Sequence, residues 1–254
     1  MSTTVDDIQW EMAIEGLHYE AVMERAAREQ CIFVLVEGDS EEVAISVLLN
    51  DMMRLNSLGI KIANYNGHGN LQAALRLLKQ TLSHDRPIIL TYDNDPPSLK
   101  SIEKCEKQGL FSNLVYRLPI PSKPVVEYPC GHRGGSFEES FPVDLFLRVT
   151  FTELLPPSIR SKRSLFEADF DPKRPWLLQL RRFTAGLGFT GWNAKKPMLA
   201  ESLACGSEEI PPTYRALADL IMKVRDKHPV VHPDDVELPK VHGLTYLPER
   251  SEGS

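Results

Sequence analysis

Apolar residues along this chain follow two alternating rhythms: short unbroken runs, and longer stretches in which they recur every three or four positions. Cys31-Ile32-Phe33-Val34-Leu35-Val36 is too brief for a helix and β-branched enough for a strand buried on both faces. It stops at Glu37-Gly38-Asp39-Ser40. Glu41 to Leu58 then predict a helix, with Val43, Val47 and Met53 or Leu55 among its core positions and Gly59 placed to end it. Ile60 to Ala63 form a second strand, Gly67-His68-Gly69-Asn70 a turn, and Leu71 to about Leu82 a helix. A third run, Ile88-Ile89-Leu90-Thr91-Tyr92, ends at Asp93-Asn94-Asp95-Pro96-Pro97, before a helix from about Ser98 to Gln108 and a fourth strand from Leu114 to Leu118. Residues 4 to 29 lead the series as an amphipathic helix, with Thr4 and Asp7 in capping-box spacing and Trp10, Ile14, Leu17 and Ala21 near one face.

Strands that alternate with helices, each a continuous apolar run, imply an α/β fold: a parallel sheet covered on both faces and joined by right-handed crossovers. Ligands of such sheets sit at the carboxyl ends of the strands. Here the first strand ends in Glu37 and the third in the Asp93/Asp95 pair. Carboxylates brought together repel one another unless a hard cation neutralises them, so a divalent metal is implied. Glu41 lies four residues after Glu37, in the first turn of the next helix, where it can turn back toward the same edge. Glu42 reads as a helix-dipole partner.

After Leu118 the chain is proline-rich from Pro119 to Pro129, turns at Gly131 to Gly135, and regains helical character from Phe137 to Leu155. A last helix spans Thr213 to Lys227, and a polar, proline-dotted tail starts at Pro229. The expected segments are an N-terminal helix (1–29), a core (30–120), a helical extension completing the site (121–228) and a tail (229–254).

Composition narrows the function. With 254 residues, 42% hydrophobic and 25% charged, the chain can bury a full core. No apolar run approaches the ~20 residues of a membrane span and the N-terminus is acidic and polar, which predicts a cytoplasmic protein without a membrane partner. The net charge of -6 excludes a passive polyphosphate binder, so contact with nucleic acid has to be local or metal-mediated. Cys31, Cys105, Cys130 and Cys205 form no CxxC pair and read as reduced, mostly buried thiols. Cys130-Gly131-His132 is short of a closed zinc site.

Asp93-x-Asp95 by itself also fits phosphotransfer receivers, haloacid-dehalogenase-like hydrolases and ordinary turns. The ordered set is more specific. Val36-Glu37-Gly38-x-Ser40-Glu41, then Gly67-His68-Gly69-Asn70, then a strand ending in Asp93-x-Asp95 resembles the TOPRIM domain of topoisomerases, primases and certain nucleases. It is most similar to the nuclease half of the OLD (overcoming lysogenization defect) family, with His68 in place of the usual lysine of the glycine turn. The resemblance covers about residues 30 to 118 and extends more loosely to about 225.

That resemblance implies a TOPRIM, Rossmann-like central parallel sheet flanked by helices, with a mostly helical C-terminal extension. It also implies a two-metal site holding Mg²⁺ or Mn²⁺, with Glu37, Glu41, Asp93 and Asp95 as ligands and Glu138 or Glu139, in Gly135-Ser136-Phe137-Glu138-Glu139-Ser140, completing it. Lys196-Pro197-Met198-Leu199-Ala200 is similar to the family's lysine-bearing helix start, which makes Lys196 catalytic together with Glu37, with Lys195 its rival. Gly38 and His68 are candidate phosphate contacts. Arg160, Lys162, Arg163, Lys173, Arg174, Arg181 and Arg182, interleaved with Trp176, Phe183 and Trp192, either track a nucleic-acid backbone or form a solvated face over core aromatics.

The implied activity is metal-dependent hydrolysis of DNA, as an endonuclease or nickase in a defence or DNA-processing system. OLD proteins join this domain to an ATPase, whereas no G-x-x-x-x-G-K-S/T loop occurs here. Either a separate ATPase subunit is the partner or the nuclease acts alone; a catalytically weak subunit serving an ATPase and an RNA nuclease are the alternatives, and oligomerisation stays open.

Overall fold

The computed structural model describes residues 5–81 and 86–235. Thr4, the predicted cap of the first helix, and the tail from residue 236 onward lie outside the described residues. Helix α1 (Val5–Glu29) leads into β1 (Ile32–Val36), α2 (Asp39–Met53), β2 (Ile60–Asn64), α3 (Leu71–Thr81), β3 (Ile88–Asp93), α4 (Pro96–Lys107) and β4 (Val115–Ile120). The four strands form one sheet in the order β2-β1-β3-β4, and every pairing is parallel. After β2 the chain crosses β1 to lay down β3 on its other side, so the point where strand order reverses lies between β1 and β3.

Alternation along β1 divides the interior. Val34 and Val36 face a large core shared with Ala44, Ile45 and Leu49 of α2, while Leu35 faces a smaller one with Tyr65, Leu71, Leu75, Leu90 and Ile102. The large core continues into the C-terminal part: α5 (Val143–Thr150), α6 (Pro157–Arg160), α7 (Arg163–Asp169), α8 (Trp176–Gly186), α9 (Trp192–Cys205) and α10 (Pro212–Lys227). Helices α9 and α10 pack on α2. Buried Arg225 of α10 staples this layer down, its guanidinium donating to the Gln30, Leu58 and His228 carbonyls.

Several expected boundaries move for local reasons. Helix α2 starts at Asp39 and ends at Met53, where Arg54 takes a left-handed conformation (φ 48°), five residues before Gly59. The helix expected over Phe137 to Leu155 is split: a 3-10 turn spans Phe137–Ser140, and Pro142, which disfavours helical backbone at Phe141, caps α5. Lys196 is not at a helix start. Helix α9 begins at Trp192 and carries Pro197 inside it. Trp176 and Trp192 are buried and Phe183 packs against the core, which removes them as base-stacking surfaces. Two thiols, Cys31 and Cys105, are buried; Cys130 and Cys205 are exposed, so the expectation of mostly buried cysteines holds for half of them. No helix among the described residues is long and apolar enough to cross a membrane.

A hairpin, β5 (Val126–Glu127) and β6 (Arg133–Gly134), is clamped onto the end of β3. Gly135 donates to the Asn94 carbonyl at 2.9 Å, and His132 Nε2 lies 3.1 Å from the same oxygen. A Cβ on Gly134 would collide with that carbonyl, so the glycine permits the approach. Gly134→Ala is therefore expected to lower the thermal midpoint by several degrees, corresponding to about 2 kcal/mol or more. Gly186→Ala, where a Cβ meets open space, leaves the midpoint equal or slightly higher. Calorimetric melts of the two variants check the pair, and equal effects would contradict the clamp.

Candidate metal centre

Glu37 leaves β1 at the strand-order reversal, directly beside the last residue of β3. Its Oε2 accepts from Ser98 Oγ at 2.9 Å and from the Asp93 backbone N–H at 3.5 Å. Its Oε1 accepts from the His68 backbone N–H at 3.3 Å, with His68 Nδ1 3.6 Å away. The 3-10 turn His68–Asn70 thus lies against Glu37 through backbone and imidazole together. Gly38 is extended and caps α2, donating its N–H to Glu41 Oε2 at 3.0 Å. That bond folds Glu41 back over the first turn, where it is 6% exposed.

Asp95 is the N-cap of α4, accepting from the Ser98 N–H at 2.8 Å, with Pro96 in the first turn. Asp93 differs from all of these. Its Oδ1 is buried and has no hydrogen-bond partner. The adjacent acids Glu138 and Glu139, 2% and 3% exposed, separate into different environments. Glu139 accepts from Ser136 N–H and Oγ at 2.7 Å each and from the Trp176 N–H at 2.6 Å, so it caps the N-terminus of α8. Glu138 receives only the Ser136 hydroxyl, at 3.0 Å, and interacts electrostatically with Glu41, Asp93 and Lys196.

Burial, and after it mutual repulsion, governs the charges. Desolvation lifts the Asp93 carboxyl well above its ordinary value, and Glu41, Glu37, Glu138 and Asp95 push it in the same direction. Burial raises Glu41 to about 7 against the opposing hydrogen bond from its own backbone and the charge of Lys196. Glu139 also rises to about 7, through burial and then Glu138. Lys196 from α9 is the counter-charge: Glu138 first, then Asp93 and Glu41, hold its ammonium protonated above its usual range despite partial burial. Lys195 is half-buried with its Nζ 4.0 Å from Met198 Sδ.

The remaining predicted cations divide among three places. Lys173, Arg174 and Arg182 line a cleft of about 520 Å³ together with Tyr128, whose hydroxyl feels Glu139, Asp95, Asp93 and Glu138. Arg181 donates to Asn193 Oδ1 at 2.9 Å and acts electrostatically on Lys196. Arg160 ends α6, Lys162 caps the start of α7 and Arg163 opens it, paired to Glu167 at 2.7 Å. Sequence reasoning missed Tyr214 of α10: it is fully buried, its hydroxyl has no partner, and the charges of Glu41, Asp93 and Glu138 act on it. Only its aromatic spacing was visible, and that pattern belongs equally to a core residue.

Residues 32–95 match the family model of the overcoming lysogenization defect protein-like TOPRIM domain. The TOPRIM segment contains Glu37, Glu41, Asp93 and Asp95, and a domain of this kind is a metal-binding, nuclease-type fold. Among solved structures, the chain is similar to the C-terminal region of the Burkholderia pseudomallei OLD protein, at 16% identity and TM-score 0.43, covering 79% of this chain and 98% of that one. It is also similar to the C-terminal region of the Xanthomonas campestris pv. campestris OLD protein, at 18% identity and TM-score 0.47, covering 77% and 96%. No curated protein matches the chain.

The donor set of the TOPRIM segment suits a hard divalent cation. Every candidate ligand is a carboxylate oxygen, and the Asp93 oxygen without a partner is what a cation would satisfy. Among the described residues, however, no three His, Cys, Asp or Glu side chains are already grouped around one ion position. Backbone donors hold Glu37, Glu41 and Asp95 individually, so taking up an ion requires side-chain rotation.

A carboxyl group whose folded value lies above its unfolded one binds its proton more tightly in the native state. Its stabilising contribution is full below about pH 4.5, declines as pH rises through about 7, and is absent beyond. Without divalent cations, the wild-type thermal midpoint is therefore expected to fall across that interval. Glu41→Gln makes the fall shallower; an identical slope in this variant, measured by calorimetry, would refute the assignment.

Proposed function

We propose that this protein is a divalent-metal-dependent nuclease that hydrolyses phosphodiester bonds of DNA, as an endonuclease or nickase. The observation carrying this reading is the convergence of Glu37, Glu41, the unpartnered Asp93 oxygen and Glu138 on the strand-order reversal, with Lys196 as the facing cation. Glu37, Glu41 and Asp93 would hold one Mg²⁺ or Mn²⁺, and Glu138 would complete a second position with Asp93. Asp95 would serve the site through its place at the head of α4. On this reading Glu139 leaves the ligand set, because both its oxygens already accept hydrogen bonds, from Ser136 and from the N-terminus of α8.

When bound, such cations draw charge from the phosphodiester oxygens and lower the cost of producing hydroxide from water. The chain's own groups supply the rest. Lys196, kept charged by Glu138, offers its Nζ protons to a phosphate oxygen as negative charge builds up, or to the leaving oxygen. Lys173, Arg174 and Arg182 extend positive surface from the cluster along the cleft beside Tyr128, a path for the strand's phosphates. Arg160, Lys162 and Arg163 are assigned to the solvated face.

Supercoiled plasmid incubated with Mg²⁺ or Mn²⁺ tests the reading. Wild-type protein is expected to nick or linearise it, and Asp93→Asn to reduce the rate by about 100-fold or more; equal rates would overturn the assignment. Lys196→Met is expected to lower kcat by about 100-fold while leaving Mn²⁺ affinity in a calorimetric titration within a few-fold of wild type. A parallel loss of both would move the lysine from phosphate to metal positioning.

One observation favours a second reading, a catalytically weak module that serves a separate ATPase subunit: the ligands are not grouped in advance. Absence of cleavage of plasmid, single-stranded DNA and RNA alike, with metal bound and an ATPase co-purifying, would support it.

A further inference from the structure

The acidic cluster acts on the hydroxyls of Tyr65, Tyr128 and Tyr214, and the two most deeply buried, Tyr65 and Tyr214, differ in one respect. Tyr65 donates its hydroxyl to the Thr91 carbonyl at 3.1 Å. Tyr214, in the first turn of α10, is completely buried, its ring 5.8 Å from that of Phe141, and its hydroxyl has no partner. For packing alone phenylalanine would serve, since a buried hydroxyl left without a hydrogen bond destabilises the state that contains it. The carboxylates nearest in effect are Glu41, Asp93 and Glu138, and Asp93 Oδ1 is likewise buried and unpartnered. A buried donor and a buried acceptor are thus both left unsatisfied, and the Asp93 charge reaches the Tyr214 hydroxyl.

We propose that Tyr214 is a positioning residue for the divalent cation. Its hydroxyl donates to a carboxylate oxygen of Glu41, Asp93 or Glu138 that is left over when those side chains turn toward the ion. Helix α10 holds the ring through Phe141 and through Thr213, whose Oγ1 receives the Ser122 N–H at 3.2 Å, so the donor is fixed before the carboxylates move. A ligand oriented by such a partner binds its cation more tightly, with typical losses of about 10- to 100-fold in affinity when the partner is removed. The inference rests on the metal-centre reading above and assigns one more residue to it.

Mn²⁺ titration calorimetry and metal-free thermal melting of wild type, Tyr214→Phe and Tyr65→Phe test the proposal. Tyr214→Phe is expected to weaken Mn²⁺ by about tenfold while its metal-free midpoint stays equal or rises, because an unsatisfied hydroxyl has been removed. Tyr65→Phe is expected to do the reverse, lowering the midpoint through the lost Thr91 bond and leaving Mn²⁺ affinity within about twofold. Unchanged Mn²⁺ affinity in Tyr214→Phe overturns the proposal, as does a loss of affinity accompanied by a lowered metal-free midpoint. A wild type that takes up no Mn²⁺ overturns the metal reading itself, a result distinct from either.

Discussion

Repulsion among carboxylates confined at one sheet edge is the constraint on which the rest of this structure depends. Two such charges 4 Å apart interact by about 4 kcal/mol at an effective dielectric constant of about 20, and here Glu41, Glu37, Glu138 and Asp95 all act on Asp93. Much of the surrounding backbone is arranged against that energy. Gly38 N–H serves Glu41, His68 N–H serves Glu37, and Ser98 N–H serves Asp95. Asp93 Oδ1 receives no such donor, which makes it the point where an external charge acts most directly.

The helical C-terminal layer answers the same constraint from the opposite side. Packing α9 on α2 brings Lys196 to Glu41 and Glu138, and packing α10 there closes Tyr214 over the cluster. The extension is part of the site's electrostatics. Its attachment depends in turn on apolar burial by Trp192, Leu199, Leu203 and Ile221 and on the Arg225 guanidinium donating to carbonyls of the sheet layer.

How far the sequence discloses this depends on how locally each feature is determined. The strands are legible because a run such as Ile32 to Val36 must be buried on both faces, and their acidic ends are legible because residues that follow a parallel strand reach its carboxyl edge. Features decided by tertiary contact are not. Glu138 and Glu139 are adjacent and chemically alike; what separates them is the Trp176 N–H arriving from a helix 37 residues on. Resemblance to the family's lysine-bearing segment puts Lys196 at a helix start, yet α9 runs through Pro197 from Trp192. Tyr214 sits at a spacing that any core aromatic would occupy.

The acidity of the whole chain then takes on a definite meaning. A protein with net charge -6 repels a polyanion at long range, but at 0.15 M salt that repulsion is screened over about 8 Å, so contact is decided by what lies within a few ångströms of the strand. Lys173, Arg174 and Arg182 line a cleft with Tyr128, whose hydroxyl feels the acidic cluster, while Lys196 is the cation on which the cluster acts directly. On the reading proposed above, a phosphodiester passing these cations would reach a cluster that repels it while the carboxylates are bare and attracts it once a divalent charge neutralises them. On the proposed reading, cation uptake and substrate admission become one electrostatic event, and loading with metal would control access as well as chemistry.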